Sequence, residues 1–358
     1  MTVSRKSFLL AGLAVPAGAL LAACGAGSSA KTGASDAASA SVAAQTTTEE
    51  ITVEHAFGTT TIPAGAARFT AIAWGNHDVA LALDVMPAGL SRQTWGVADD
   101  SGMLEWTKQK VDELVAAGAA QPVLFDDTDG YDFEAIAETA PDVILAAYSG
   151  LSQEDYDTLT KIAPTIAYPG VPWGTQWRDM IRLDSQAMGL AAQGEDLITD
   201  LERQIADAVA QYPQLAGKSA AFFYMSESDT STIGFYTTAD PRTAFMTDLG
   251  MTIPASVQAV SDADPEIFYS DLSSENADQV DDVDVMVMYG EESDLAALQA
   301  DPLVGTIPAI KNGAVAFVGN GTPLSASTNP GPLSIPWGID RYVSLIATAA
   351  DKADAASA

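Results

Sequence analysis

Residues 175–212 read TQWRDMIRLDSQAMGLAAQGEDLITDLERQIADAVAQY, and Pro213 follows. Apolar side chains recur there at helical spacing: Trp177, Met180, Ile181, Ala187, Met188 and Ala191, then Ile198, Leu201, Ile205, Ala208, Val209 and Tyr212. Thr175, after Gly174, is placed to cap the start, and Pro213 cannot continue the helix. Gly194 is the expected bend, because Gly weakens a helix interior by roughly 1 kcal/mol relative to Ala. At 1.5 Å per residue a single helix here is roughly 57 Å long, enough to cross two domains side by side. On each side of it the chain repeats short β-rich runs followed by helical runs. The spacing therefore predicts an α/β protein of two lobes, 51–173 and 214–352, bridged by one long helix over 174–213, with a disordered tail at 353–358.

Composition bounds the function. The 358 residues suffice for two domains with real cores. The net charge of −32 opposes nucleic acid and a polybasic membrane patch, and reads as a solvated acidic surface. Residues 1–24 read as an export signal: Arg5 and Lys6, an apolar run from Phe8 to Leu21, then Leu21-Ala22-Ala23-Cys24. That ending resembles a bacterial lipobox, which implies cleavage before Cys24 and lipid attachment to its sulfur. Ser4-Arg5-Lys6-Ser7-Phe8-Leu9 also resembles a twin-arginine signal with Lys in place of the second Arg. Cys24 is the only cysteine, so the mature chain has no disulfide, thiolate metal site or cysteine nucleophile. Residues 25–50, poor in large side chains, form a flexible tether. A near P-loop at Gly25–Thr32 has Ala30 for the second Gly and neither strand nor helix around it, and is set aside.

In the first lobe, 51–63 reads as a hairpin, and strands are predicted at 69–73, 87–90, 142–147 and 165–168. Helices follow from about His77, Asp132 and Gln153. Carboxyl ends of strands are where α/β sheets bind ligands, and they deliver Trp74, Tyr148, Tyr168 and Trp173 there. In the second lobe strands are predicted at 219–225, 233–236, 284–289 and 313–318. Short helices begin at Arg242, Ser274 and Leu295, and a closing helix covers 336–349. Its pocket candidates are Tyr224, Phe235, Tyr236, Arg242, Tyr289, Asn320 and Trp337.

A constellation repeats across the lobes. Asp132-Phe133-Glu134 leads through a short helix to Asp142-Val143-Ile144, as Ser273-Ser274-Glu275 leads to Asp284-Val285-Met286. A Glu in a first turn is also what the helix dipole favours, so either one alone carries little. With the lipobox, the tether, the two lobes and the middle helix, this pair resembles the ferric-siderophore substrate-binding lipoproteins of ABC importers. Leu303–Val315 (LVGTIPAIKNGAV) and Ser334–Arg341 (SIPWGIDR) share the likeness, which runs from about Ile51 to the C-terminus. The resemblance implies two Rossmann-like lobes, a ligand cleft between them and little hinge motion. It also implies a monomer lipid-anchored on the outer face of the cell membrane, docking on an ABC permease through Glu134 and Glu275.

A siderophore saturates ferric iron with hard oxygen ligands, so the protein supplies neither metal ligand nor cofactor. It needs aromatic surface and a few donors. Trp74, Trp95, Tyr148, Trp173, Tyr236 and Trp337 fit the first demand, Arg92 and Arg242 the second, with core packing the competing reading for any one Trp. Few basic residues in a negative field favour a neutral or cationic ferric hydroxamate over a catecholate. Cobalamin or haem in the same kind of importer is the alternative. A zinc or manganese site would need more than His55 and His77. No Gly-x-Ser-x-Gly elbow or nucleophile–His pairing supports an enzyme, and a carboxylate-dependent hydrolase is the weakest reading.

Overall fold

The computed structural model describes residues 46–226 and 229–357, so the export signal, Cys24 and nearly all of the tether lie outside the described residues. The chain enters through a β-hairpin, β1 (Ile51–His55) and β2 (Gly58–Ile62), paired antiparallel from Ile51–Ile62 to His55–Gly58. Then β3 (Phe69–Ala71), α1 (Asn76–Ala82), β4 (Gly89–Ser91), α2 (Glu105–Ala116), β5 (Val123–Phe125), α3 (Phe133–Glu138), β6 (Val143–Leu145), α4 (Gln153–Leu159) and β7 (Thr165–Ile166) build the first lobe. Its sheet is wholly parallel in the order β5-β4-β3-β6-β7. β3 and β6 are buried along their whole length, as strands covered on both faces must be. The order reverses between β3 and β6, which opens a crevice beyond their carboxyl ends.

The connector departs from the expected single helix. It is two helices, α5 (Trp177–Ala187) and α6 (Ala191–Val209), folded back on each other. The turn is a Schellman motif: Gly189 adopts φ 72°, Leu190 N–H donates to Ser185 C=O at 2.8 Å, and Gly189 N–H to Gln186 C=O at 2.9 Å. Arg182 pairs with Glu195 at 2.8 Å and Arg178 with Glu202 at 2.7 Å, an antiparallel register. Gly194 is no bend. It is where the helices touch, for a Cβ there would lie 2.1 Å from Ser185 Oγ. Nor does Thr175 cap α5; Gln176 holds the cap position, while the buried Thr175 hydroxyl donates to Ala147 C=O at 2.6 Å.

α6 leads into the second lobe: β8 (Ala220–Ser226), β9 (Asp229–Tyr236), α7 (Pro241–Asp248), α8 (Ala255–Ala263), β10 (Tyr269–Ser273), β11 (Val285–Met288), α9 (Leu295–Ala300), α10 (Pro308–Asn312), β12 (Val315–Phe317), α11 (Pro323–Ser327) and α12 (Ser334–Ser357). Its sheet, β10-β9-β8-β11-β12, is parallel over β8, β11 and β12, with β9 and β10 added antiparallel. α12 replaces the expected disordered tail: it runs to Ser357, and Ala353 is buried in the second lobe's core. One continuous core joins Leu145 and Val143 of the first sheet, Ile181 and Leu201 of the hairpin, and Phe222, Val287 and Val343 of the second lobe.

The repeat seen in the sequence has a structural cause. Asp142, just before β6, accepts from the N–H groups of Ala67 and Arg68 at 2.9 and 2.8 Å, tying the start of β3 to β6. Asp284, just before β11, does the same for the start of β8, accepting from Ser219 N–H at 2.8 Å. Glu134 and Glu275 are exposed in first turns capped by Asp132 and Ser273. The turn carrying Glu275 is a 3-10 helix with a kink at Asn276.

Candidate functional site

Residues just past the strand ends at the switch points set the crevice. After β3 come Ala73 and Trp74; after β6, Tyr148; after β11, Tyr289. Asn76 holds the first pair in place: its side-chain NH₂ donates to Ile72 C=O at 2.7 Å and Tyr148 C=O at 3.0 Å, and its carbonyl accepts from Tyr148 N–H at 2.9 Å. Among such buried groups a two-way lock of this kind leaves little freedom for the aromatic residues it carries.

A cavity of about 330 Å³ lies between the lobes, lined by Trp74, Trp95, Tyr148, Trp173, Arg242, Phe268, Tyr289, Ser325 and Asn329. The Trp95 and Tyr289 rings meet edge to face with centroids 5.5 Å apart, and Trp74 and Trp95 lie 6.2 Å apart. Across the cleft Asn329 donates to the Tyr148 hydroxyl at 2.9 Å. Burial pushes the Tyr148 phenol up from its ordinary range, so it remains a neutral hydroxyl. A second cavity of about 340 Å³ opens on the first-lobe side, with Ser91, Arg92, Gln93, Asp127 and Tyr131 in its wall. A third, of about 570 Å³, opens on the second-lobe side beyond Tyr289, with Tyr224, Glu291, Asp294 and Asn320 in its wall.

Arg242 is the charge at the centre. It sits in the first turn of α7, and Asp240, the cap of that helix, accepts from its Nε at 2.8 Å and its Nη2 at 2.5 Å. Nη1 donates to the Tyr289 hydroxyl at 2.8 Å, and the guanidinium carbon lies 3.6 Å over the Tyr236 ring. Burial opposes the charge, but the fully buried Asp240 carboxylate more than offsets it and keeps the group well above its usual value. The Tyr236 phenol is pushed up to about 12 by burial. Charge for charge, Arg242 and Asp240 cancel.

Five of the eight ligand-contact candidates, Trp74, Trp95, Tyr148, Trp173 and Arg242, thus come together at one cavity. Arg92 lies in the neighbouring first-lobe cavity, where its guanidinium makes no ion pair among the described residues. Tyr236 stands behind Arg242 as its stacking partner. Trp337 is elsewhere: its ring packs tilted against Trp106 with centroids 5.1 Å apart and lines an outer groove with Lys110, Glu113 and Pro336. Tyr168 and Phe235 are core residues. His77 is fully buried beside Asp78, which accepts from Trp106 Nε1 and the Thr107 hydroxyl, each at 2.7 Å. Sequence reasoning misses Phe268, Ser325 and Asn329. Phe268 precedes an edge strand whose polar sequence hides it, and Asn329 lies in the Asn-Pro-Gly-Pro turn after α11. Among the described residues no three His, Cys, Asp or Glu side chains converge as a metal site, and no helix is long and apolar enough to cross a membrane.

Two α/β lobes welded by helices, with a ligand-sized aromatic cavity at their switch points, define a bilobal solute receptor, and the periplasmic binding protein family model matches residues 71–320. The chain belongs to that family. Among its relatives are the petrobactin-binding protein YclQ of Bacillus subtilis, 25% identical over 88% of this chain and 92% of that one, and the ferric enterobactin-binding protein FepB of Escherichia coli, 26% identical over 68% and 75%. The crystal structure of Streptococcus pneumoniae PiaA in complex with ferrichrome is similar with a TM-score of 0.80 and 45% identity, covering 84% of this chain and 99% of that one.

Proposed function

We propose that this protein captures a ferric siderophore of the hydroxamate type and delivers it to an ABC permease for iron uptake. The observation that carries the ligand class is the central cavity itself: aromatic walls from both lobes around one guanidinium whose charge Asp240 already neutralises. A ferric trihydroxamate without ionised side groups is neutral and asks for such a surface. A ferric catecholate carries several negative charges and asks for unpaired cations, and among the described residues lining the two cavities Arg92 alone, in the adjoining one, is a cation without an ion pair in contact, with Asp126 acting on it from further off. The higher identity to the ferrichrome-bound PiaA than to the petrobactin and enterobactin receptors supports the same choice.

In this reading Trp74, Trp95, Tyr148, Trp173 and Arg242 contact the complex, with Arg92 at its edge and Tyr236 bracing Arg242. Cys24 carries the lipid that holds the receptor on the outer face of the membrane. Glu134 and Glu275, one exposed carboxylate per lobe, set the register of docking on the permease. The test is tryptophan fluorescence of the tether-free protein titrated with ferrichrome, a ferric tricatecholate, haem, cobalamin and bare ferric, zinc and manganese ions. Saturable quenching by ferrichrome ahead of the rest is expected. A response to cobalamin or haem alone would move the ligand, and a response to bare ions alone would overturn it.

A further inference from the structure

Four non-glycine residues among those described have left-handed backbone: Ala73 at φ 62°, Asp84 at 60°, Ala140 at 47° and Trp173 at 59°. Asp84 and Ala140 follow the ends of α1 and α3, where helix termination makes that conformation routine. Ala73 ends no helix, and Trp173 stands third in a turn closed by Gly174 N–H to Val171 C=O at 3.1 Å, a position that ordinarily takes glycine. A bulky aromatic residue at positive φ is an outlier, and such strain persists only where surrounding structure enforces it and tends to mark functional positions.

Both outliers belong to one wall. Trp74, next to Ala73, and Trp173 itself are the side chains that line the central and the first-lobe cavities alike. Their backbones are held from behind: Ala73 N–H donates to the Ser91 hydroxyl at 2.8 Å, and Trp173 N–H to Ser149 C=O at 2.9 Å. The Trp173 indole stands edge to face with Tyr148, centroids 5.4 Å apart, and occupies the space where residue 150 would carry a side chain. A Cβ on Gly150 would lie 2.2 Å from Trp173 Nε1. The chain thus gives up a side chain at 150 and accepts strain at 173 to stand an indole between two cavities.

We infer that Trp173 is a specificity-determining partition, which holds the ligand site to one compact chamber and excludes ferric complexes whose periphery would need the first-lobe cavity as well. The inference rests on the ferric hydroxamate reading above. The two chambers are of similar size, and Trp173 stands with Trp74 in the wall they share, so the excluded class is a trihydroxamate enlarged on the side that faces Arg92 and Asp127.

The experiment compares ferrichrome with a ferrichrome bearing a bulky acyl group on its peptide ring, by fluorescence titration of the wild type, Trp173→Ala and Gly150→Ala. The wild type is expected to prefer ferrichrome, and Trp173→Ala to cut that preference by about tenfold or more. Gly150→Ala, which displaces the indole without deleting it, is expected to shift the ratio the same way. Thermal melting of Trp173→Gly and Trp173→Ala tests the strain separately: glycine, free at positive φ, is expected to melt higher, the reverse of the usual order. Equal weakening of both probes in Trp173→Ala, or a lower melting point for the glycine variant, would overturn the partition and leave the hydroxamate reading standing. A wild type that binds neither probe would overturn that reading and the partition with it.

Discussion

Gly194→Ala separates the helical hairpin from a continuous helix more sharply than any other single change. In an uninterrupted helix the substitution stabilises, by about 1 kcal/mol from propensity alone. In the hairpin the added methyl carbon would sit 2.1 Å from Ser185 Oγ and 2.7 Å from Ser185 Cβ, with Ile181 Cγ2 at 3.6 Å. Ser185 is fully buried on the facing helix and cannot turn its side chain outward. Overpacking of this kind costs about 1–3 kcal/mol, and a contact this short belongs at the upper end. Offset by the helix gain, the net loss is about 2 kcal/mol. For a folded chain of this size that lowers Tm by roughly 3 °C. The second arm of the test is Ser185→Gly with Gly194→Ala, which moves the side chain from one side of the contact to the other. The pair removes the clash, keeps the helix gain in α6 and costs α5 about half a kcal/mol in propensity, so the double variant returns close to wild type with a coupling energy of about 3 kcal/mol. Urea unfolding followed by circular dichroism reads all four corners of the cycle. A Gly194→Ala protein more stable than wild type, or a double variant as damaged as the single one, would refute the close approach of α5 and α6.

Asp240→Asn keeps the cap of α7 but strands the Arg242 guanidinium, so it should destabilise by about 3 kcal/mol and raise affinity for anionic ferric catecholates relative to ferrichrome; fluorescence titration reads the ratio. Asp184 is fully buried on α5 with no well-formed hydrogen bond to either oxygen, and burial pushes its carboxyl well above the usual range despite some relief from the Ala147 backbone. The folded protein therefore retains a proton that the unfolded chain loses near pH 4, and stability falls as pH rises from there. Asp184→Asn should be neutral near pH 3 and increasingly stabilising towards pH 7, and a melting advantage independent of pH would contradict it. Glu134→Ala and Glu275→Ala, each on an exposed first turn, should leave ferrichrome affinity unchanged and impair iron uptake by whole cells; loss of binding in either variant would remove the docking assignment.

Much of the fold was legible because buried parallel strands write themselves as apolar runs. Val143-Ile144-Leu145 and Val285-Met286-Val287-Met288 are fully buried strands and were readable as such. The break in the connector was not. Met188, Leu190 and Ala191 keep the apolar pattern going across Gly189, so periodicity cannot distinguish a helix that continues from one that turns back onto its own apolar face. Two glycines five residues apart do opposite jobs, Gly189 supplying positive φ and Gly194 a close approach. α2 escaped because Glu105–Ala116 buries only Trp106, Thr107, Val111 and Leu114 in a highly charged stretch. At the site, residues just past strand ends were predictable from topology. Trp337 was not, since an aromatic residue in a helix of the closing segment gives no sign of which side it faces.

How far the lobes can part depends on where their core lies. Val143 and Leu145, Ile181, Leu201, Phe222, Val287 and Val343 belong to one contiguous apolar cluster, so a wide hinge opening would expose surface at about 25 cal/mol per Å² with nothing to replace it. α5 adds polar ties to the second lobe: Trp177 Nε1 and Arg178 both donate to the Asp248 carboxylate, at 2.9 and 3.1 Å. Leu104, Trp106 and Ala326 also pack as an apolar cluster between the lobes, but beside it the contacts are slighter, among them a ring edge between Trp95 and Tyr289 and a hydrogen bond from Asn329 to Tyr148. Those are the contacts a ligand can displace without disturbing the core. The binding surface is therefore largely preformed, and its selectivity comes from the shape of the aromatic wall and the cancelled charge of Arg242 more than from closure around the ligand.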